Sequence, residues 1–138
     1  MNRKKAAWAL CAAILALPVL LGGCGKGQDA PQVKNLTAKE AKELMDRGEA
    51  VVVDVRTEEE YAQAHIPGAV LLPNEAIDAQ TARELLPDRE ALILVYCRSG
   101  RRSAQAARKL VDLGYEDVSD FGGIIDWPYD TQTGEGAR

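Results

Sequence analysis

The chain has 138 residues, of which 46% are hydrophobic and 28% charged, with 12 Gly and 6 Pro. That balance fits one globular domain and excludes collagen-like, coiled-coil and largely disordered chains. The net charge of -4, from 17 basic and 21 acidic side chains, argues against a nucleic-acid binder, which would present a basic surface.

In chain order, the first element is an export signal. Arg3, Lys4 and Lys5 precede an uncharged apolar run from Ala6 to Leu21, 16 residues long and interrupted by Pro18. A membrane-spanning helix needs about 20 apolar residues. The run therefore reads as a secretory signal, with a permanent anchor helix as the alternative. It ends Leu21-Gly22-Gly23-Cys24, which resembles the lipobox of bacterial lipoproteins. That resemblance implies cleavage before Cys24, acylation of its thiol and a lipid anchor holding the domain to a membrane of the cell envelope, outside the cytoplasm. Ordinary secretion, with Cys24 left as a thiol, is the alternative. Without residues 1–23 the balance is 14 basic against 21 acidic groups, a net charge of -7. Such a domain is repelled by anionic membrane surfaces beyond its tether. Residues 24–32 are small and polar and read as a flexible tether. The folded domain is expected over 33–130, and 131–138 as a polar, frayed tail.

Within the domain, Thr37-Ala38-Lys39-Glu40 is a capping box, and Ala41, Leu44 and Met45 follow on one helical face up to Gly48. Val51-Val52-Val53 reads as a strand buried on both faces. Thr57-Glu58-Glu59-Glu60 is a second capping box, opening a short helix to about Ala64. A turn at Ile66-Pro67-Gly68 leads to a short strand from Val70 to Leu72. Helical spacing runs from Ile77 to Leu86, and Leu92 to Tyr96 is a second central strand. A helix is expected from Ser103 to Leu113, with Ala104, Ala107, Leu110 and Val111 inward and Gly114 closing it. Val118 to Phe121 is the last strand, and Gly122-Gly123 begins a turn. Strands alternating with helices give an α/β domain with a mostly parallel sheet covered on both faces.

Cysteine use narrows the chemistry. Of Cys11, Cys24 and Cys97, the first lies in the signal and the second would carry lipid. Cys97 is then the domain's lone thiol, either reactive or an inert core residue. It stands at the carboxyl end of a central strand, where ligands bind in open parallel sheets. The chain continues Arg98-Ser99-Gly100-Arg101-Arg102-Ser103, a Gly-containing loop feeding a helix. Backbone N–H groups of such a loop make an anion-binding nest, and the helix dipole and three guanidiniums favour the thiolate. These residues are the candidate nucleophile and its binding loop.

Cys97-Arg98-Ser99-Gly100-Arg101-Arg102-Ser103 resembles the active-site loop of single-domain rhodaneses. Asp54-Val55-Arg56, Glu59-Glu60-Tyr61, His65-Ile66-Pro67-Gly68-Ala69, Gly114-Tyr115 and Gly122-Gly123 with Trp127 follow the family's order. The resemblance runs from about Leu36 to Tyr129. It implies a rhodanese-like fold and a sulfurtransferase. Cys97 would take sulfane sulfur from a small anionic donor such as thiosulfate and pass it to cyanide or a thiol. Arg98, Arg101 and Arg102 would hold the donor's anionic remainder, with no order among them, and the N–H groups of the Ser99–Ser103 loop the outer sulfur. Asp54, Arg56, Glu59 and His65 would form a structural network, Glu59 and Glu60 lying one turn from Arg56, with a catalytic acid and electrostatic clamp as the alternative for Asp54 and Arg56. A Cys–His dyad using His65 is the competing view of that residue. One His and one available Cys cannot build a zinc site, and no cofactor is called for. A monomer is expected, with no nucleic-acid partner. Cysteine phosphatases and arsenate reductases also place a Cys before an anion loop, but the phosphatase signature needs Arg six positions on, where this chain has Ser103. A rhodanese module that carries persulfide or binds a partner without turnover is the remaining alternative.

Overall fold

The computed structural model describes residues 30–134. Residues 1–29, with the expected signal, Cys24 and most of the tether, lie outside the described residues, as do 135–138. Five strands form one sheet: β1 (Lys34–Asn35), β2 (Ala50–Asp54), β3 (Val70–Leu71), β4 (Leu92–Cys97) and β5 (Asp117–Gly123). Their order is β1-β5-β4-β2-β3, and every pairing is parallel. The helices are α1 (Ala38–Asp46), α2 (Glu58–Gln63), α3 (Ala79–Leu85) and α4 (Arg101–Asp112), with short 3-10 turns at Asn74–Ala76 and Ile124–Asp126.

The period-two alternation of buried strands sets two cores. Val53, Ile93, Val95 and Cys97 point to one face, where Ala82 of α3 and Ala106, Ala107 and Leu110 of α4 cover them. Val52, Leu94 and Tyr96 point to the other, against Ala41 of α1 and Tyr61 of α2. Cys97 therefore lies under α4, while its neighbour Tyr96 lies on the opposite side of the sheet.

Both expected capping boxes form, Thr37 with Glu40 and Thr57 with Glu60. A third, Asp78 with Thr81, starts α3. Four boundaries differ from the sequence expectation, the first being α3, which starts at Ala79 after its Asp78 cap instead of at Ile77. α4 begins at Arg101 instead of Ser103, because Gly100 caps it in the left-handed region at φ 103°, which Gly reaches without a Cβ clash. Its inner face is consequently Ser103, Ala106, Ala107 and Leu110, whereas Ala104 and Val111 are half-buried. Gly122 and Gly123 end β5 instead of opening a turn. The tail is docked as far as it is described. The N–H groups of His65 and Gln132 each donate to the other residue's carbonyl at 2.8 Å, and Gly134 N–H donates to the Ala62 carbonyl at 2.9 Å. These backbone bonds satisfy groups that a frayed tail would leave to water.

Candidate active site

The carboxyl ends of β4 and β5 and the amino end of α4 meet at Cys97. Cys97 pairs with Gly123 across a register shift that follows Val95, so β5 carries extra chain opposite the end of β4. Gly123 is required by close approach. A Cβ there would stand 2.2 Å from the Arg98 carbonyl oxygen and 2.6 Å from the Ser99 Cα. The loop thus rests backbone to backbone on β5, and Ile125 N–H donates to the Arg98 carbonyl at 3.3 Å.

The Cys97 thiol is free and only 1% exposed. Gly100 N–H donates to its Sγ at 3.0 Å, and the Ser103 hydroxyl lies 3.6 Å away. With the thiol donating to its oxygen, that hydroxyl donates onward, to the carbonyl of Gly100 at 3.0 Å or of Gly122 on β5 at 3.3 Å. Burial resists ionisation of the thiol. It is outweighed by the Ser103 hydroxyl and the backbone N–H groups of Ser103, Gly100 and Ser99, which bring the Cys97 pKa below its ordinary value. The sulfur is therefore held by donors of the loop itself, not chiefly by the guanidiniums. Ala104 N–H is the first in α4 to bond back to the preceding turn, at 3.2 Å from the Gly100 carbonyl. The N–H groups ahead of it have no partner within the helix, and those of Gly100 and Ser103 are turned to the sulfur, an arrangement suited to an anion.

The three arginines are not equivalent. Arg98 and Arg101 are exposed, and neither forms an ion pair among the described residues. Arg102 forms a two-pronged pair with Glu60, Nη1 to Oε2 and Nη2 to Oε1, both at 2.8 Å. The Arg102 guanidinium, with the Thr57 N–H and hydroxyl and against the cost of burial, lowers the Glu60 carboxyl to about 2. Sequence spacing assigned Glu60 to Arg56 because they lie one turn apart, but the partner comes from 42 positions away in the chain. A cleft of about 280 Å³ beside the loop is lined by Arg56, Glu60, Gln63, Ala64, Arg98, Ile124 and Ile125.

Behind the cleft, Arg56 and Asp54 form a buried pair, Nη2 to Oδ2 at 2.6 Å, with Arg56 also donating to the Ala64 carbonyl at 2.6 Å. Tyr96, which the sequence reading passed over, completes this network. Its hydroxyl donates to Asp54 Oδ2 at 2.7 Å and accepts from Ile66 N–H at 3.1 Å. Burial and the Asp54 carboxylate both push the Tyr96 phenol upward, so it stays neutral. Glu59 does not join: it is exposed, and Asp54 takes the place next to Arg56. His65 is buried apart from both groups. Its ring stacks on Tyr61 at 3.7 Å, with Nδ1 2.8 Å from the Tyr61 carbonyl and Nε2 2.9 Å from Gln132 Nε2. No hydrogen bond joins it to Cys97, which leaves the dyad without geometry. Among the described residues, no group of three or more His, Cys, Asp or Glu side chains is placed to hold a metal ion.

The chain is similar to known proteins over most of the described residues. The chain is 38% identical over 74 residues to thiosulfate sulfurtransferase PspE of Escherichia coli, covering 54% of this chain and 70% of that protein. It is 41% identical over 88 residues to a sulfurtransferase of Allochromatium vinosum, covering 63% and 79%. A solved E. coli rhodanese with anions superposes with a TM-score of 0.56 at 32% identity, over 62% of this chain and 99% of that one. The Rhodanese-like domain family matches residues 37–128, and the chain belongs to that family.

Proposed function

We propose that the protein is a rhodanese-type sulfurtransferase that turns over through a persulfide on Cys97. The Cys97 thiolate attacks the outer sulfur of thiosulfate. A new S–S bond forms, the S–S bond of the donor breaks, and sulfite leaves with the electron pair. The persulfide on Cys97 is left with one negative charge. An acceptor such as cyanide then attacks the outer sulfur, leaves as thiocyanate and restores the thiolate. Charge and atoms balance at each step, and no oxidant is needed. The Ser99–Ser103 loop holds the sulfur anions, and Arg98 and Arg101 hold the sulfonate end of the donor. Arg102 acts from its pair with Glu60. Asp54, Arg56 and His65 hold the scaffold and touch neither sulfur nor donor.

The observation that carries this reading is the Gly100 N–H pointing at Sγ from 3.0 Å in a loop that lowers the thiol pKa. A thiolate facing backbone donors is a nucleophile in an anion site. Relatives named as thiosulfate sulfurtransferases favour turnover over a carrier or binding role. The test is the mass of the Cys97 peptide before and after thiosulfate. A gain of one sulfur, reversed by cyanide, supports the mechanism, and repeated turnover under excess donor and cyanide separates an enzyme from a carrier. No gain of sulfur rejects it.

The site of action is part of the proposal. The run Leu21-Gly22-Gly23-Cys24 after a basic and apolar leader supports a lipid anchor at the cell envelope, with the domain a monomer outside the cytoplasm. Cys24→Ser is expected to abolish lipid labelling and release the protein from membranes. A variant that stays with the membrane fraction at the wild-type size rejects the anchor.

A further inference from the structure

Resting on the sulfur-transfer reading above, we propose that Glu60 sets the preference of the site for the charge of its donor, by neutralising one of the three loop arginines. Both nitrogens at the end of Arg102 are engaged by both oxygens of Glu60 at 2.8 Å. A two-pronged pair of this kind fixes orientation as well as charge. Glu60 cannot follow Arg102 elsewhere, because its carboxylate also accepts from Thr57 N–H at 3.0 Å as part of the α2 cap. The guanidinium is thus held against α2 although it belongs to the first turn of the helix that Cys97 faces. Arg98 and Arg101 remain without an ion pair among the described residues. The loop therefore presents two free cations and one compensated pair. Glu60 is a positioning residue: it acts through Arg102, and the quantity it governs is selectivity between a dianionic and a neutral donor.

The charge count makes the consequence sharp. The pair is neutral in the native protein. Glu60→Gln leaves it one unit positive, Arg102→Gln leaves it one unit negative, and the double substitution returns it to neutral. Gln also serves at the third position of a capping box, so Glu60→Gln keeps the start of α2. One unit of charge at the edge of a partly hydrated site changes the binding of a small anion by about three- to tenfold.

The experiment measures kcat/KM for thiosulfate and for an uncharged organic persulfide, and reports their ratio for the native protein and the three variants, each checked for folding by circular dichroism. The ratio is expected to rise about three- to tenfold in Glu60→Gln, to fall by as much in Arg102→Gln, and to return to the native value in the double variant, with all differences shrinking at high salt. A purely structural brace lowers both rates together and leaves the ratio fixed in every variant, and that result overturns the proposal. Should Glu60→Gln not fold, the fall in Arg102→Gln and its shrinking at high salt decide the matter alone. If the native protein takes no sulfur onto Cys97 from thiosulfate, the sulfur-transfer reading falls as well. If it does and the ratios do not move, only the role of Glu60 falls.

Discussion

Two buried polar groups stand at the carboxyl ends of adjacent strands, and they are held in opposite ways. At the end of β2, Asp54 meets Arg56 and the Tyr96 hydroxyl, and Arg56 in turn meets the Ala64 carbonyl. Charge is matched within the protein, carboxylate against guanidinium. At the end of β4, Cys97 has no cationic partner of its own and is held by N–H donors of a loop that opens into a helix start. The first arrangement is closed and gives rigidity. The second leaves a nucleophile among donors that accept further negative charge. Alternation along β4 separates them, sending Tyr96 to the α1 and α2 face and Cys97 to the α4 face.

The largest expected effect falls on the open site. Cys97→Ser keeps the shape but supplies an alcohol that does not ionise near neutral pH, so sulfur transfer drops to background while the far-UV circular dichroism and melting temperature are retained. The closed site responds the other way. Asp54→Ala leaves Arg56 buried without its counter-charge, a change that costs about 3–5 kcal/mol. A large fall in melting temperature is expected, and a fall too small to measure would show that the pair is dispensable. Arg98→Ala or Arg101→Ala removes a charge-assisted contact to the donor, worth about 1.5–3 kcal/mol. The KM for thiosulfate rises accordingly, with a smaller change for a neutral donor. Equal losses for both donors would place these arginines outside the donor site. The smallest effect is in acid. Because Glu60 is lowered to about 2 in the folded protein, the stability it adds is present above its ordinary value of 4.5 and is lost as pH falls from there toward 2. The melting temperatures of the native protein and Glu60→Gln should therefore converge over that window.

Much of this architecture is written in local patterns. The capping boxes at Thr37 and Thr57, the valine run of β2 and the Cys97 loop each depend on a few neighbouring residues, and each forms where its pattern stands. The features that escaped are long-range or carried by backbone. The Arg102–Glu60 pair spans 42 positions and joins helices that lie on opposite faces of the sheet, so no local pattern announces it. The docking of the tail on His65 is main-chain pairing, to which the polar sequence of the tail gives no clue. The Asp78 box uses Thr81 where the usual signature has Glu or Gln. The early start of α4 was readable in principle, since Gly is an accepted N-cap. Tyr96 sat in an apolar run and read as core, although its hydroxyl needed a partner once buried.

The most direct measurement is the alkylation rate of Cys97 against pH, followed on the peptide that carries it. Loop donors that outweigh burial place the midpoint below the ordinary thiol value of about 8.5, with the His65→Ala variant titrating at the same point because no histidine serves the sulfur. A midpoint at or above the ordinary value, or one that moves with His65, would contradict a thiolate made by the loop.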